Sequence, residues 1–313
     1  MSQTVSSDKE LQTVVRRRAK KLWRRLSESR KRVLREADAD SIHDLRVASR
    51  RIQTLIDVSS LPQRSKSSVK FRKRIKRLRH AAGGRRDVEV MLDKLRAETR
   101  GSATARRRRL LRSVARSLAP GSKWQSQQVR RKIKKIGGGK LHRLCRRSLL
   151  SGHSEGISIG TLRDAIEQAE HKWLSTVDDA IAHDDPGAYH DVRIKAKTLR
   201  YAIELAARFI DVADADAIIE WLKSIQNELG EWHDEVEECR RVTEILSRGP
   251  GAQSDPAATA LIRSLRSRTE AHTRFVRDRL RSLQGNLNKR GDRPLFLNGR
   301  GGRAAPVLEI IAL

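Results

Sequence analysis

Apolar residues recur with helical spacing along almost the whole chain, and no stretch alternates as a half-buried strand would. Residues 8–37 are rich in Arg, Lys, Leu and Glu without Pro or Gly and read as one long helix. A break at residues 38–41 follows, with Ser41 as N-cap and Asp44 completing a capping-box-like pattern, and the next helix ends at Leu61-Pro62. Residues 67–82 carry a stripe of Val69, Phe71, Ile75, Leu78 and Ala82. Beyond Gly83-Gly84 a helix runs to about Arg100, then come a helix holding Arg106 to Arg109 and a basic stretch through Lys132, Lys134, Lys135 and Gly137 to Gly139. Residues 151–160 read as a linker. Further helices are expected at about 159–181, from Asp185-Pro186 onward, and at 215–229, 232–247 and 257–283. Residues 1–7 and 286–313 show no sustained period and are expected to be disordered. The pattern predicts an all-α protein.

One stretch occurs twice. IHDLRVASRRIQTLID, starting at Ile42, returns as YHDVRIKAKTLRYAIE, starting at Tyr189, with His43 and His190 standing 147 residues apart. Gly83 matches Gly230, Asp87 matches Asp234 and Lys76 matches Lys223 in the same register. An equal offset in separated segments reads as an internal duplication into two tandem halves, about 8–150 and 155–285. At about 100° per residue, His43, Arg46, Arg50 and Asp57 share one sector of the first copy, opposite Leu45, Ala48, Ile52, Leu55 and Ile56. In the second copy His190, Arg193, Lys197 and Glu204 oppose Val192, Ala196, Leu199, Ala202 and Ile203. Each helix thus has an apolar back and a cationic front, and the expected architecture is two pseudo-symmetric bundles whose motif helices face one another across a basic groove or pore.

Charge sharpens that expectation. The 313 residues carry a formal net charge of +30, which attracts polyanions. Residues 1–150 hold 45 Lys and Arg against 12 Asp and Glu, whereas residues 151–243 hold 10 against 20. Within that acidic stretch, Arg193, Lys195, Lys197 and Arg200 still cluster on the motif helix, so cations persist where the repeat places them. Two cysteines give neither a disulfide framework nor a metal-ligand pairing. A polar N-terminus and the lack of any long apolar run point to a cytoplasmic protein.

Arg offers a planar fork of donors to phosphate oxygens and Lys a compact charge. Cations at i, i+3 and i+7 span roughly 10 Å of helix, enough to meet several phosphates in a row. Both histidines are placed in the first turns of their helices, where free amides and the dipole favour anions, and a histidine beside phosphates prefers its protonated form. Asp44 and Asp191 read as helix-start residues. Asp87 and Asp234 read as caps or as partners that hold a basic residue, and Tyr201 and Trp232 as core or contacts.

The patterns H-x-x-R-V-x-x-R-R from His43, H-x-x-R-I-x-x-K-x-x-R-Y-x-x-E from His190, and the paired G-x-x-R-D and G-x-x-H-D segments resemble the CHAD family, the conserved histidine α-helical domain. The resemblance spans about residues 8–285. It implies two pseudo-symmetric helical bundles around a basic surface or pore that binds inorganic polyphosphate, often at polyphosphate granules. It implies His43, Arg46, Arg50, Arg51, His190, Arg193, Lys197 and Arg200 as ligands, supported by Lys76, Arg79 and Lys223. Gln53 and Thr198 stand where that family commonly has a basic residue. Many of its members are joined to a triphosphate-tunnel domain, whose acidic start is not found here, so no hydrolase activity carries over.

Two other classes fit parts of the sequence. His43-Asp44, His190-Asp191 and His233-Asp234 suggest a metal-dependent phosphohydrolase of the HD type, but Arg86 occupies the position matching His233, and a cation there opposes a metal. Charge alone suggests a nucleic-acid-binding protein, for which 4% aromatic residues is a poor stacking complement. Gly137-Gly138-Gly139-Lys140 lacks the spacing of a phosphate-binding loop. The expectation is therefore a binding protein that is not an enzyme and needs no metal or cofactor, with nucleic acid at most a weaker polyanionic partner.

Overall fold

A computed structural model describes residues 2–59, 65–102, 104–118, 120–150, 157–183, 185–210, 215–248 and 255–288. The turn at Leu61-Pro62, most of the expected linker, the segment from 289 onward and the side chains of Arg85, Arg86 and Asp87 lie outside the described residues. The described residues form eleven α-helices and one π turn, with no strand among them. In order these are α1 (Ser2–Arg35), α2 (Ala39–Ser59), α3 (Lys66–Ala81), α4 (Gly83–Gly101), α5 (Ala105–Leu118), α6 (Pro120–Ile136) and α7 (Gly138–Cys145) with the π turn Arg146–Leu150. Then follow α8 (Ile159–His183), α9 (Pro186–Ala206), α10 (Ala215–Ser247) and α11 (Pro256–Asn288). The all-α expectation holds.

Several boundaries differ from the sequence reading. Residues 2–7 belong to α1 rather than to a disordered arm. The second motif half does not break at its glycine: α10 runs unbroken from Ala215 to Ser247 through a buried Gly230. In the first half α3 and α4 are separate helices that meet at Ala82. The start of α2 is set by Asp38, not Ser41, since the Asp38 carboxylate accepts from the Ser41 amide at 2.6 Å and that bond holds its pKa down. Asp185 does the same for α9, accepting from the Ala188 amide at 3.2 Å. The motif helices therefore each span 21 residues, Ala39–Ser59 and Pro186–Ala206, and their caps keep the 147-residue offset.

Burial follows the hydrophobic stripes. Leu45, Ala48, Ile52, Leu55 and Ile56 of α2 and Val192, Ala196, Leu199, Ala202 and Ile203 of α9 are all buried, as the apolar face of each helix requires. They belong to one core that also takes in Leu11 and Leu26 of α1, Phe71 and Ile75 of α3, Trp173 of α8 and Trp232 of α10. The two sequence halves thus share a core. Tyr189 meets Trp232 edge to face, their ring centroids 5.2 Å apart, which seats the start of α9 against α10. Trp232 donates to the Thr273 hydroxyl on α11 at 2.9 Å, so this ring is core and not a ligand contact.

A smaller core of Met91, Leu95, Leu111, Val114, Val242, Leu261 and Leu265 joins α4 and α5 to α10 and α11, again across the halves. Its edge carries an ion network. Arg268 reaches Glu98 at 2.7 Å and Glu238 at 2.8 Å, Arg107 lies 3.7 Å from Glu98, and His272 meets Glu235 at 3.0 Å. Glu238 is only 2% exposed, and burial, then Glu98, pushes its pKa up despite Arg268. Because its folded pKa lies above its unfolded value, ionised Glu238 costs stability as pH rises through that pKa. Arg268→Met should therefore lower stability by about 1–3 kcal/mol, more near pH 8 than near pH 5, in urea unfolding at the two pH values. An equal loss at both would show that Glu238 is not the group left uncompensated.

Candidate anion-binding site

The fronts of α2 and α9 meet. Arg50 is close enough to Arg79, Arg193 and Arg46 for all three to oppose its charge, and Lys197 is opposed in the same way by Arg193, Arg50, Arg200 and Arg46. Six cations from three helices, α2, α3 and α9, therefore share one space. Burial and this repulsion push Arg50 down to about 10, with Tyr201 acting in the opposite sense. They push Lys197 down to about 6. Arg79 is lowered too, mainly by burial and then by Arg46.

Neutral oxygens hold these cations in place. Arg46 donates to the Gly83 carbonyl at 3.0 Å and Arg193 to the Gln226 carbonyl at 3.2 Å. The Arg193 guanidinium abuts Gly230 with its Nε–Nη2 edge, where a Cβ would come within 2.9 Å of Nη2. Gly230 is thus the clearance that lets Arg193 cross α10, which explains a glycine inside an unbroken helix. Its counterpart Gly83 has open space around it and serves Arg46 through its carbonyl instead.

An exchange between helices compensates for Gln53, which stands where the family pattern has a cation. Arg79 of α3 donates to the Gln53 side-chain oxygen of α2 at 2.8 Å. In the other half Arg200 of α9 donates to the Gln226 side-chain oxygen of α10 at 3.2 Å. Gln53 and Arg200 share one offset, as do Arg79 and Gln226, so each half keeps one Arg–Gln pair with the two helices' roles swapped. Gln226 was missed by motif reading, and only the arginine at its 147-residue counterpart could have pointed to it.

Carboxylates stand at the far ends of the motif helices. Asp57 pairs with Arg72 at 2.6 Å. Glu204 pairs with Arg200 at 2.9 Å and with Arg18 at 3.8 Å. Tyr201 lies between cations, its ring centroid 4.6 Å from the Arg200 guanidinium carbon and 5.7 Å from that of Arg51.

Other expected ligands lie at the margin of this cluster or outside it. Arg51 faces α1 across a cleft lined by Leu22, Arg25, Arg32, Asp44 and Ala48. Lys223 is exposed and paired with Glu220 at 3.1 Å. Lys76 is exposed on α3, near His80. Asp44 pairs with Arg32 at 3.0 Å. His43 is exposed, whereas His190 is half-buried, with its ring centroid 4.5 Å from that of His233 and a buried Nδ1 that has no hydrogen-bond partner.

The expected charged state of His190 is not what this environment favours. Burial, His233, Arg193 and Lys197 outweigh Asp191 and push its pKa down to about 4. The dipole argument also weakens: Ile42 and Tyr189 already donate to the Asp38 and Asp185 carbonyls, so both histidines sit one turn inside helices whose first amides are capped. What the site offers is a set of side-chain cations that repel one another, with Glu204 on Arg200 the one carboxylate paired with a member of the set among the described residues. Such a set is stabilised by any multivalent anion that enters.

Comparisons with known proteins agree with this architecture. The family model for the CHAD domain matches residues 17–243, and the chain belongs to that family. Its fold is similar to the crystal structure of the CHAD domain from the plant Ricinus communis, at 19% identity over 84% of this chain and 89% of that one, with a TM-score of 0.59. It is also similar to PptA from Streptomyces chartreusis, at 15% identity over 87% and 98% of the two chains, with a TM-score of 0.62. Nothing among curated proteins matches the chain.

Lys197 gives a direct test of the crowding. Its folded pKa lies below the ordinary 10.5, so its cost to the folded state grows as pH falls from 10.5 toward about 6 and is complete below that. Lys197→Met should raise the Tm of the protein without ligand by a few degrees, more at about pH 6 than at about pH 9. A lowered Tm at both pH values would show that Lys197 is not under strain.

Proposed function

We propose that this chain binds inorganic polyphosphate on the shared front of α2, α9 and α3 and does so without chemistry. The observation that carries the reading is the convergence of Arg46, Arg50, Arg79, Arg193, Lys197 and Arg200, close enough that burial and their mutual repulsion lower the pKa values of Arg50, Arg79 and Lys197. A chain of phosphates answers each of these groups: Arg forks take two oxygens apiece, and Lys197, held near 6, takes up a proton as negative charge arrives. Membership of a family whose members bind polyphosphate supports the same ligand.

Nucleic acid is disfavoured as the ligand because the aromatic rings near the cluster are already engaged. Tyr201 is flanked by Arg51 and Arg200, and Trp232 is buried against Tyr189. For hydrolysis, an activated water would need a metal held by convergent donors. His190 and His233 do adjoin, but the groups beside His190 are Arg193 and Lys197, and among the described residues no group of three or more His, Cys, Asp and Glu could hold a metal. No helix of the described residues is long and apolar enough to cross a membrane. Retention on polyphosphate granules in the cytoplasm is the cellular consequence of this binding.

Affinity for long-chain polyphosphate should fall steeply with salt, as multivalent phosphate binding does, while orthophosphate scarcely binds. Arg46→Ala, Arg50→Ala, Arg193→Ala and Lys197→Ala combined should abolish retention of polyphosphate and leave the helical circular dichroism intact. Single-stranded DNA bound as tightly as polyphosphate at equal phosphate count would favour the nucleic-acid reading. Metal-dependent phosphate release lost on His190→Ala or His233→Ala would make the protein an enzyme.

A further inference from the structure

The basic surface continues beyond the central cluster, in the first half only. A groove between α3 and α6 is lined by Lys73, Lys76, Arg77, His80, Lys132 and Lys135, over a floor that includes Ala81 and Ile136. Among the described residues no carboxylate borders it, and neither α3 nor α6 contains an Asp or Glu anywhere in its sequence. Lys73, Arg77, His80, Lys132 and Lys135 are exposed and form no ion pair among the described residues. The walls are held by backbone contacts rather than by the lining groups: Arg74 donates to the Ile136 carbonyl at 2.8 Å and Arg130 to the Glu36 carbonyl at 2.7 Å.

The groove adjoins the central site along α3, where His80 at its edge follows Arg79, the cluster arginine that donates to Gln53 at 2.8 Å. His80 at its edge is opposed by Arg79, Lys76 and Arg46, two of which belong to the cluster. Among the described residues the matching face of the other half has no such extension. At the 147-residue offset, Glu220, Ser224, Asn227 and Ser282 replace Lys73, Arg77, His80 and Lys135, and Arg279 replaces Lys132. The corresponding space between α10 and α11 is mostly apolar, lined by Trp221, Leu229, Leu280 and Leu283, with Glu228 and a single cation, Arg279, at its side. Lys223 is there held by Glu220.

We infer that the α3–α6 groove is a second, one-sided segment of the phosphate path, which receives a polyphosphate chain as it leaves the central cluster past His80. This rests on the polyphosphate reading above. The groove carries binding only for chains long enough to fill the centre and extend outward, so it makes the protein selective for chain length. It also gives the bound chain a single direction of exit, because the α10 side offers an acid and apolar wall where α3 offers cations.

The test combines Lys73→Gln, Arg77→Gln, His80→Asn, Lys132→Gln and Lys135→Gln, all exposed positions, and titrates long-chain polyphosphate, tripolyphosphate and single-stranded DNA. Long-chain affinity should fall roughly tenfold or more near physiological salt, and the log–log salt slope should become shallower by about three, with tripolyphosphate affinity unchanged. Lys73→Arg, Lys132→Arg and Lys135→Arg in otherwise native protein should keep long-chain affinity, which separates charge from folding. Unchanged long-chain affinity in the five-fold variant, or an equal loss for tripolyphosphate, would overturn the inference. A loss confined to DNA would assign the groove to nucleic acid instead. Should the wild type bind neither phosphate ligand, the underlying polyphosphate reading fails and this one with it.

Discussion

Repulsion among like charges governs this structure. At an effective dielectric of about 20, two cations about 6 Å apart oppose each other by roughly 3 kcal/mol, and here Arg46, Arg50, Arg193, Lys197 and Arg200 are gathered where water is partly excluded. The repulsion within that cluster opposes folding. The stability that tolerates it comes from behind, where the apolar backs of α2 and α9 enter a core running through both sequence halves. A second core and its ion network tie α4 and α5 to α10 and α11, so the helices that carry the cations cannot drift apart independently.

The choice of acceptors around the cluster has a functional consequence. Arg46, Arg79, Arg193 and Arg200 are oriented by backbone carbonyls and by the amide oxygens of Gln53 and Gln226. A carboxylate at any of these points would fix the guanidinium equally well but would cancel the field that an anion must feel. For Arg46, Arg79 and Arg193 these neutral acceptors orient without neutralising; Arg200 alone also meets an acid, Glu204, and Asp57 and Glu204 both stand at the helix ends. The arrangement is one of donors preset for negative charge, with reorganisation kept small when the ligand arrives.

Much of this was legible in the sequence. The 3.6-residue period gave the helices, and the equal offset of His43 and His190 gave the faces, since an apolar back opposite a cationic front has only one way to pack. What was not legible came from contacts between helices. Gly230 looked like a breaker because glycine weakens helices on its own, yet here the missing Cβ is what admits Arg193. Gln53 looked like a lost cation because its partner Arg79 lies on another helix. His43 and His190 looked equivalent by register, but one is exposed and the other is packed against His233. Lys223 carried the right charge at the right spacing and still pairs with Glu220, and Arg51 lines the cleft against α1 while reaching the cluster only through the Tyr201 ring.

The most direct measurement follows the Lys197 side-chain nitrogen by NMR through a pH titration, without and with saturating polyphosphate. In the free protein its pKa should lie near 6, and bound phosphate should move it upward toward the ordinary 10.5. A value already near 10.5 in the free protein, or one that polyphosphate leaves where it was, would contradict a phosphate site built on crowded cations.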